Sequence, residues 1–219
     1  MRARSSRINT AQDENVKLEQ SVRARAITMN DIIFIRHSQS RPAPGQPPSQ
    51  WPLTDTGRQR CVALATRMRA EPAMLPDLIV CSEELKTRET GALIAERLGL
   101  PHTVAPGLHE HAREHVGWLG DDEFVRAVAA LFARPDELVF GEETATEARE
   151  RFAAGVRAAV AANPTQRLAI VTHGTVLALF LAQQNGLAAE SFWRRLGMPA
   201  LARATLPDFQ IAELIERVE

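Results

Sequence analysis

Asp31-Ile32-Ile33-Phe34-Ile35-Arg36-His37-Ser38 is the stretch on which the fold turns. Residues 32–35 are consecutively apolar, and all but Phe34 are β-branched. A strand buried on one face alternates apolar with polar residues, whereas an unbroken run fits a strand covered on both faces, as in a parallel sheet. Asp77-Leu78-Ile79-Val80-Cys81 and Leu168-Ala169-Ile170-Val171-Thr172 repeat the pattern. Each run leads straight into polar residues: Arg36-His37-Ser38, then Ser82 and Lys86, then His173-Gly174. Open α/β sheets bind ligands at the carboxyl ends of their strands. These clusters, remote in sequence, are therefore predicted to share one pocket.

Between the runs the apolar period changes to that of helices. Thr54 reads as an N-cap, followed by Cys61, Leu64, Ala65 and Met68 on one face. A second helix is predicted from about Glu83 to Leu98, stopped by Leu98-Gly99-Leu100-Pro101. A third runs from about Thr144 to Ala161, with Ala148, Phe152, Val156 and Val160 in a stripe, and a fourth starts after Gly174. Strands alternating with helices make a layered α/β sheet. Leu201 to Val218 reads equally as strands or as a short helix.

The 219 residues suffice for one domain with a full core, and 45% apolar and 24% charged residues describe a globular chain. Residues 1–28, rich in Arg, Ser, Gln and Glu, read as a disordered tail before a domain over 29–219, with Met29 a candidate natural start. A net charge of −1 offers no global field for nucleic acid or an anionic membrane, so neither is an expected partner. The longest apolar stretch, Leu168 to Ala182, is interrupted by Thr172-His173-Gly174-Thr175, and the N-terminus lacks an apolar signal core. Cys61 and Cys81 make neither a disulfide framework nor a metal-ligand spacing; as small buried thiols they suit a reducing cytoplasm, the expected location.

Singly, each polar cluster has a plain structural reading, His37 or His173 as a hydrogen-bonded rim residue and Arg36 or Lys86 as a solvated charge. Their order is more specific. Arg36-His37-Ser38-Gln39-Ser40 is followed by Leu53-Thr54-Asp55-Thr56-Gly57 and by Ser82-Glu83-Glu84-Leu85-Lys86 with Thr90. Then come Leu108-His109-Glu110, Gly141-Glu142-Glu143-Thr144 and Val171-Thr172-His173-Gly174. In this order the motifs resemble those of the histidine phosphatase superfamily, which includes the cofactor-dependent phosphoglycerate mutases. The resemblance implies a three-layer sandwich, with a mostly parallel central sheet and helices on both faces. It implies a phosphoric monoester hydrolase in which His37 accepts the phosphoryl group and Glu110 serves as acid and base. Arg36, His173, Lys86, Ser40 and Gly174 would hold the phosphate. The substrate would be a phosphorylated small molecule or a phosphoprotein.

The chemistry asks for these residue types. A phosphate monoester carries up to two negative charges, and fixed cations must replace its water. The nucleophilic histidine must be neutral at the attacking nitrogen, with its other ring nitrogen donating to an acceptor. Surrounding cations help by disfavouring its protonation. Passage through a phosphohistidine divides one hard displacement into two easier ones. An acid must then meet the leaving oxygen. Glu110 is assigned that part, with a pKa expected to be raised by burial and by the phosphate dianion against the pull of the cations. Glu114 is its rival. The protein cations supply the charge, so no metal or organic cofactor is expected.

This chain has Ser38 where the family pattern has Gly, and Lys86 where it has Arg. Ser38 could shift the nucleophile loop or add a phosphate contact through its hydroxyl. Lys86 exchanges a rigid fork for a point charge, and weaker phosphate binding is expected. Three other readings stay open. One is phosphotransfer of the mutase type; another is a phosphate-binding regulatory module with weakened catalysis. The third is a zinc peptidase, since His111-Ala112-Arg113-Glu114-His115 spells His-x-x-Glu-His. Arg113, His111, His115 and Trp118 are candidates for the pocket entrance.

Overall fold

The computed structural model describes residues 31–43 and 45–219, so the expected tail and Met29 lie outside the described residues. One sheet contains β1 (Asp31–Arg36), β2 (Leu78–Cys81), β3 (His102–Val104), β4 (Leu168–Thr172), β5 (Ala200–Thr205) and β6 (Gln210–Ile215) in the order β3-β2-β4-β1-β5-β6. The first four strands of that order run parallel; β5 is antiparallel to β1, and β6 to β5. The three unbroken apolar runs are β1, β2 and β4, adjacent and internal to the sheet.

Their alternate side chains feed two cores. Ile33, Ile35, Ile79 and Val171 pack with Cys61, Leu64 and Met68 of α1 (Asp55–Ala70) and Ile94 of α2 (Leu85–Leu98). Ile32, Phe34, Val80 and Ile170 pack on the other face with Phe152 and Val156 of α4 (Ala145–Ala162) and Phe180 of α5 (Gly174–Asn185). Phe34 lies 5.9 Å from Phe180 and 6.5 Å from Phe152, ring centre to centre. Each fully buried phenylalanine stabilises the fold by about 3 kcal/mol. The result is a three-layer α/β sandwich, the architecture that the resemblance implies.

Helix ends follow the expected chemistry. Thr54 Oγ1 accepts the Gly57 N–H at the start of α1, Thr144 and Glu147 form a capping box on α4, and Gly99 closes α2 at φ +71°. α2 begins at Leu85 rather than Glu83, because Ser82 to Glu84 form a turn in which Thr87 Oγ1 donates to Ser82 O and Glu84 O. Leu201–Val218 resolves into β5, a tight turn and β6 rather than a helix. Three elements were not anticipated: the exposed edge strand β3, the short α6 (Ala189–Arg195) and α3 (Asp121–Ala133), whose acidic first turn, Asp121-Asp122-Glu123, and apolar stripe were the available signal. Both cysteines are buried and free. Among the described residues, no helix is long and apolar enough to cross a membrane.

Candidate active site

Strand register brings the polar clusters together. Arg36 pairs with Thr172 and Cys81 with Val171, so β1, β4 and β2 end almost level. The His37 N–H donates to Thr172 O at 2.8 Å and the Ser82 N–H to Val171 O at 3.0 Å. The rings of His37 and His173 consequently stand 5.3 Å apart, and Ser82 Oγ lies 2.8 Å from His173 Nε2. The convergence expected from three distant segments is present.

The His37 Nδ1–H donates to Ser38 O at 2.7 Å, the tautomer that leaves Nε2 with its lone pair. Burial lowers the His37 pKa well below the ordinary value, and His173, Lys86 and Arg36 push it further down. The histidine is neutral at pH 7. Ser38 is accommodated without left-handed backbone. Its hydroxyl donates to Gly57 O at 2.7 Å and its N–H to Thr90 Oγ1 at 3.1 Å, so the hydroxyl anchors the loop and is not the extra phosphate contact considered above. Gly57 has a steric reason: a Cβ there would lie 2.2 Å from Gln39 O. The Leu-Thr-x-x-Gly segment is thus the seat of the nucleophile loop.

Arg36 donates through Nη1 to Leu196 O, and burial lowers its pKa to about 10, still charged at neutrality. Gly174 makes room for it, since a Cβ would come 2.8 Å from the guanidinium carbon. Lys86 is 4% exposed; its Nζ donates to Pro48 O at 2.7 Å and pairs with the Glu84 carboxylate. Glu84, which sequence reasoning passed over, also accepts the Glu110 N–H at 2.8 Å and lies 3.3 Å from His173 Nε2. No sequence signal marked it, because its burial comes from the turn over Ser82 to Glu84. Burial lowers the His173 pKa to about 4, against the opposing pull of Glu84.

Glu110 is buried at the N-terminus of α5. Its carboxylate accepts N–H groups of Thr175 and Val176, each at 3.1 Å, and of His111 at 2.9 Å. Arg113 Nη2 is 3.8 Å away. Burial pushes the pKa up, but Arg113, His173 and the backbone donors outweigh it and hold the group far below the usual carboxylate range. Of the two expected upward pulls only burial acts in the protein alone, and there Glu110 is an ionised carboxylate. Arg151 steadies the segment from behind, donating to the carbonyls of Gly107, His109 and Glu110. Glu114 is exposed and accepts from Ser49 Oγ at 2.7 Å; it does not line the cavity holding His37.

The zinc-peptidase reading fails on geometry. Residues 111–116 form bends and turns rather than the helix that the motif requires. His111 Nε2–H donates to Glu143 O, while His115 pairs with Glu142. Among the described residues, no cluster of His, Cys, Asp and Glu has the makings of a metal site.

Arg36, His37, Ser40, Lys86, Glu110 and Thr175 line a cavity of about 230 Å³, with Arg113 and Trp118 also in its wall. Of the expected set, Gly174 and His173 do not line it: Gly174 contributes space, and His173 is fully buried beside His37; of the entrance candidates, His111 and His115 lie outside. Arg36 Nε, Arg113 Nη1, His173 Nδ1 and Thr175 Oγ1 are buried without a protein partner. Buried polar atoms without partners are costly. Clustered beside a neutral histidine, they suit an anion.

Comparison with known proteins identifies the family and the fold. A sequence profile described as histidine phosphatase superfamily (branch 1) matches residues 32–207. A probable phosphoglycerate mutase of Cronobacter sakazakii is 26% identical over 171 residues, 74% of this chain and 77% of that protein. The fold is shared with a mycobacterial glucosyl-3-phosphoglycerate phosphatase (TM-score 0.60, 22% identity, covering 80% of this chain and 89% of that one). It is also shared with a phosphoserine phosphatase of Entamoeba histolytica (TM-score 0.66, 14% identity, covering 84% and 95%).

Proposed function

As this chain belongs to branch 1 of the histidine phosphatase superfamily, we propose that it hydrolyses a phosphate monoester through a phosphohistidine on His37. The observation that carries the reading is the His37 Nδ1–H bond to Ser38 O, which fixes a neutral nucleophile beside unpartnered buried donors. Arg36, Lys86, Ser40 and Thr175 bind the phosphate, and His173, once the dianion draws a proton onto its ring, donates to it through Nδ1. His37 Nε2 attacks phosphorus as the bond to the alcohol oxygen breaks. Glu110, its pKa raised as the phosphate arrives, takes up the proton of the substrate's monoanion and passes it to that oxygen. The resulting carboxylate then takes a proton from water, which attacks phosphorus and breaks the P–N bond.

The test is hydrolysis of p-nitrophenyl phosphate in chelator by wild type and His37→Ala, with rapid-quench trapping of an acid-labile, base-stable phosphoprotein. Turnover and a phosphoenzyme in wild type alone are expected; equal turnover in both proteins overturns the assignment. The likeness to the Cronobacter mutase supports a second reading, transfer to a second substrate. Chasing the phosphoenzyme with 3-phosphoglycerate separates the two: hydrolysis yields inorganic phosphate, and mutase chemistry yields a bisphosphate or an isomerised product.

A further inference from the structure

We propose that the alcohol part of the substrate is an uncharged aromatic group seated among tryptophans above His37; this rests on the reading of His37 as phosphoryl acceptor. The chain has three tryptophans and no tyrosine. Trp51, Trp118 and Trp193 all line the His37 cavity, together with Phe124 and Met198. The aromatic residues form two pairs, Trp51 with Trp118 at 5.7 Å and Phe124 with Trp193 at 6.2 Å, the latter edge to face. They come from the loop before α1, the loop before α3, α3 itself and α6, so no single element's packing need explains the cluster.

Core packing accounts for Trp193 in part, since it lies against the core and 6.2 Å from Phe132, but not for the two loop tryptophans. Trp118 is 60% exposed, and Trp51 and Trp193 are half-buried. An aromatic wall left wet at a cavity mouth is relieved of unfavourable hydration when an apolar ligand covers it, and ring stacking adds to the gain. The charges nearby select against a second anionic group. Asp121 lines the cavity one helical turn before Phe124, and Asp122 and Glu123 share its turn. The nearest cation, Arg113, faces Glu110 and lies 4.9 Å over the Phe124 ring, and its one unpartnered atom, Nη1, belongs with the buried donors set beside His37 for the phosphate. A carboxylate or second phosphate on the substrate would meet Asp121 instead of a free cation. An uncharged ring meets four aromatic side chains.

Binding reads this without turnover. Calorimetry on the full chain would compare methylphosphonate, 2-carboxyethylphosphonate and 1-naphthylmethylphosphonate, in wild type, Trp118→Ala, Trp193→Leu and the remote surface variant Leu187→Ala. The naphthyl compound is expected to bind at least about tenfold tighter than methylphosphonate, a difference of about 1.4 kcal/mol. The carboxyethyl compound should bind no tighter than methylphosphonate. The naphthyl advantage should shrink severalfold in Trp118→Ala and Trp193→Leu and persist in Leu187→Ala. Equal affinity for all three, a carboxyethyl preference, or a naphthyl advantage untouched by both tryptophan substitutions would overturn the proposal. A naphthyl preference in a protein that forms no phosphohistidine would leave the aromatic site standing and remove the phosphatase reading. A phosphohistidine formed with no naphthyl preference would do the reverse.

Discussion

Strands β1 and β4 carry buried charge at both ends, and the two ends are organised differently. At the amino ends, Asp31 pairs with Arg203 at 2.6 Å and lies 3.7 Å from Arg167, and Arg203 also meets Glu213 at 3.3 Å. Arg167 donates to the carbonyls of Pro72, Ala73 and Leu75 as well. Among the described residues only its Nε lacks a partner there. At the carboxyl ends, Arg36, Arg113, His173 and Thr175 each keep a buried polar atom unmatched. Charge matched within the protein serves the fold, whereas charge left unmatched is held for a ligand.

The comparison breaks if substitution at the carboxyl end costs stability rather than activity. His37→Ala carries the largest expected effect, a loss of roughly 10⁴-fold in kcat against p-nitrophenyl phosphate. Its stability should stay within about 1 kcal/mol of wild type, because the side chain lines a cavity and makes one hydrogen bond. Initial rates and urea melts on the same preparations check both halves. The amino end should behave oppositely. Arg167→Met leaves Asp31 less well paired and three carbonyls without their donor, costing about 3 kcal/mol of stability. Its kcat/KM per folded molecule should stay within about twofold of wild type.

Glu84 sharpens the contrast because it is a matched charge inside the unmatched end. Burial pushes its pKa up, but His173, Lys86 and the Glu110 N–H win, and the folded value is about 2 against an ordinary 4.5. A depressed carboxylate pKa contributes stability that is present above pH 4.5 and lost as pH falls through 2. At neutral pH, where His173 is uncharged, Lys86 and the Glu110 N–H supply that stabilisation. Glu84→Gln should therefore be less stable than wild type at pH 7, and the two stability curves should converge as the pH falls from 4.5 towards 2. Denaturant melts across that range decide it; a constant gap would show that Glu84 does not hold its charge through this network.

How much of this was legible in the sequence follows from the range of each interaction. The sheet core was legible because a doubly buried strand leaves no polar position, as residues 32–35, 78–81 and 168–171 show. The nucleophile's place was legible because a strand's end fixes where the next residue emerges. Edge strand β3 was not, since its three residues are all exposed and carry no burial pattern. Nor was the state of Glu110, whose ionisation depends on the first N–H groups of α5, sixty-five residues further on. The Glu84–Lys86 pair was hidden for a different reason: two residues apart at a helix start, they come together only because Ser82 to Glu84 turn away from the helix.

Lys86 has the smallest expected effect and tests which side of the comparison it belongs to. Its ammonium has three N–H groups; Pro48 O and the Glu84 carboxylate take two, leaving one for phosphate. An arginine there offers five donors in a fixed fork and can keep Glu84 while presenting two to the ligand. Lys86→Arg should lower KM for a phosphate ester by about three- to tenfold, with kcat changed by less than about threefold. A fall in KM alone places Lys86 among the charges held for the ligand. Unchanged KM and kcat with altered thermal stability would place it with Arg167, as a cation whose partners are all within the protein.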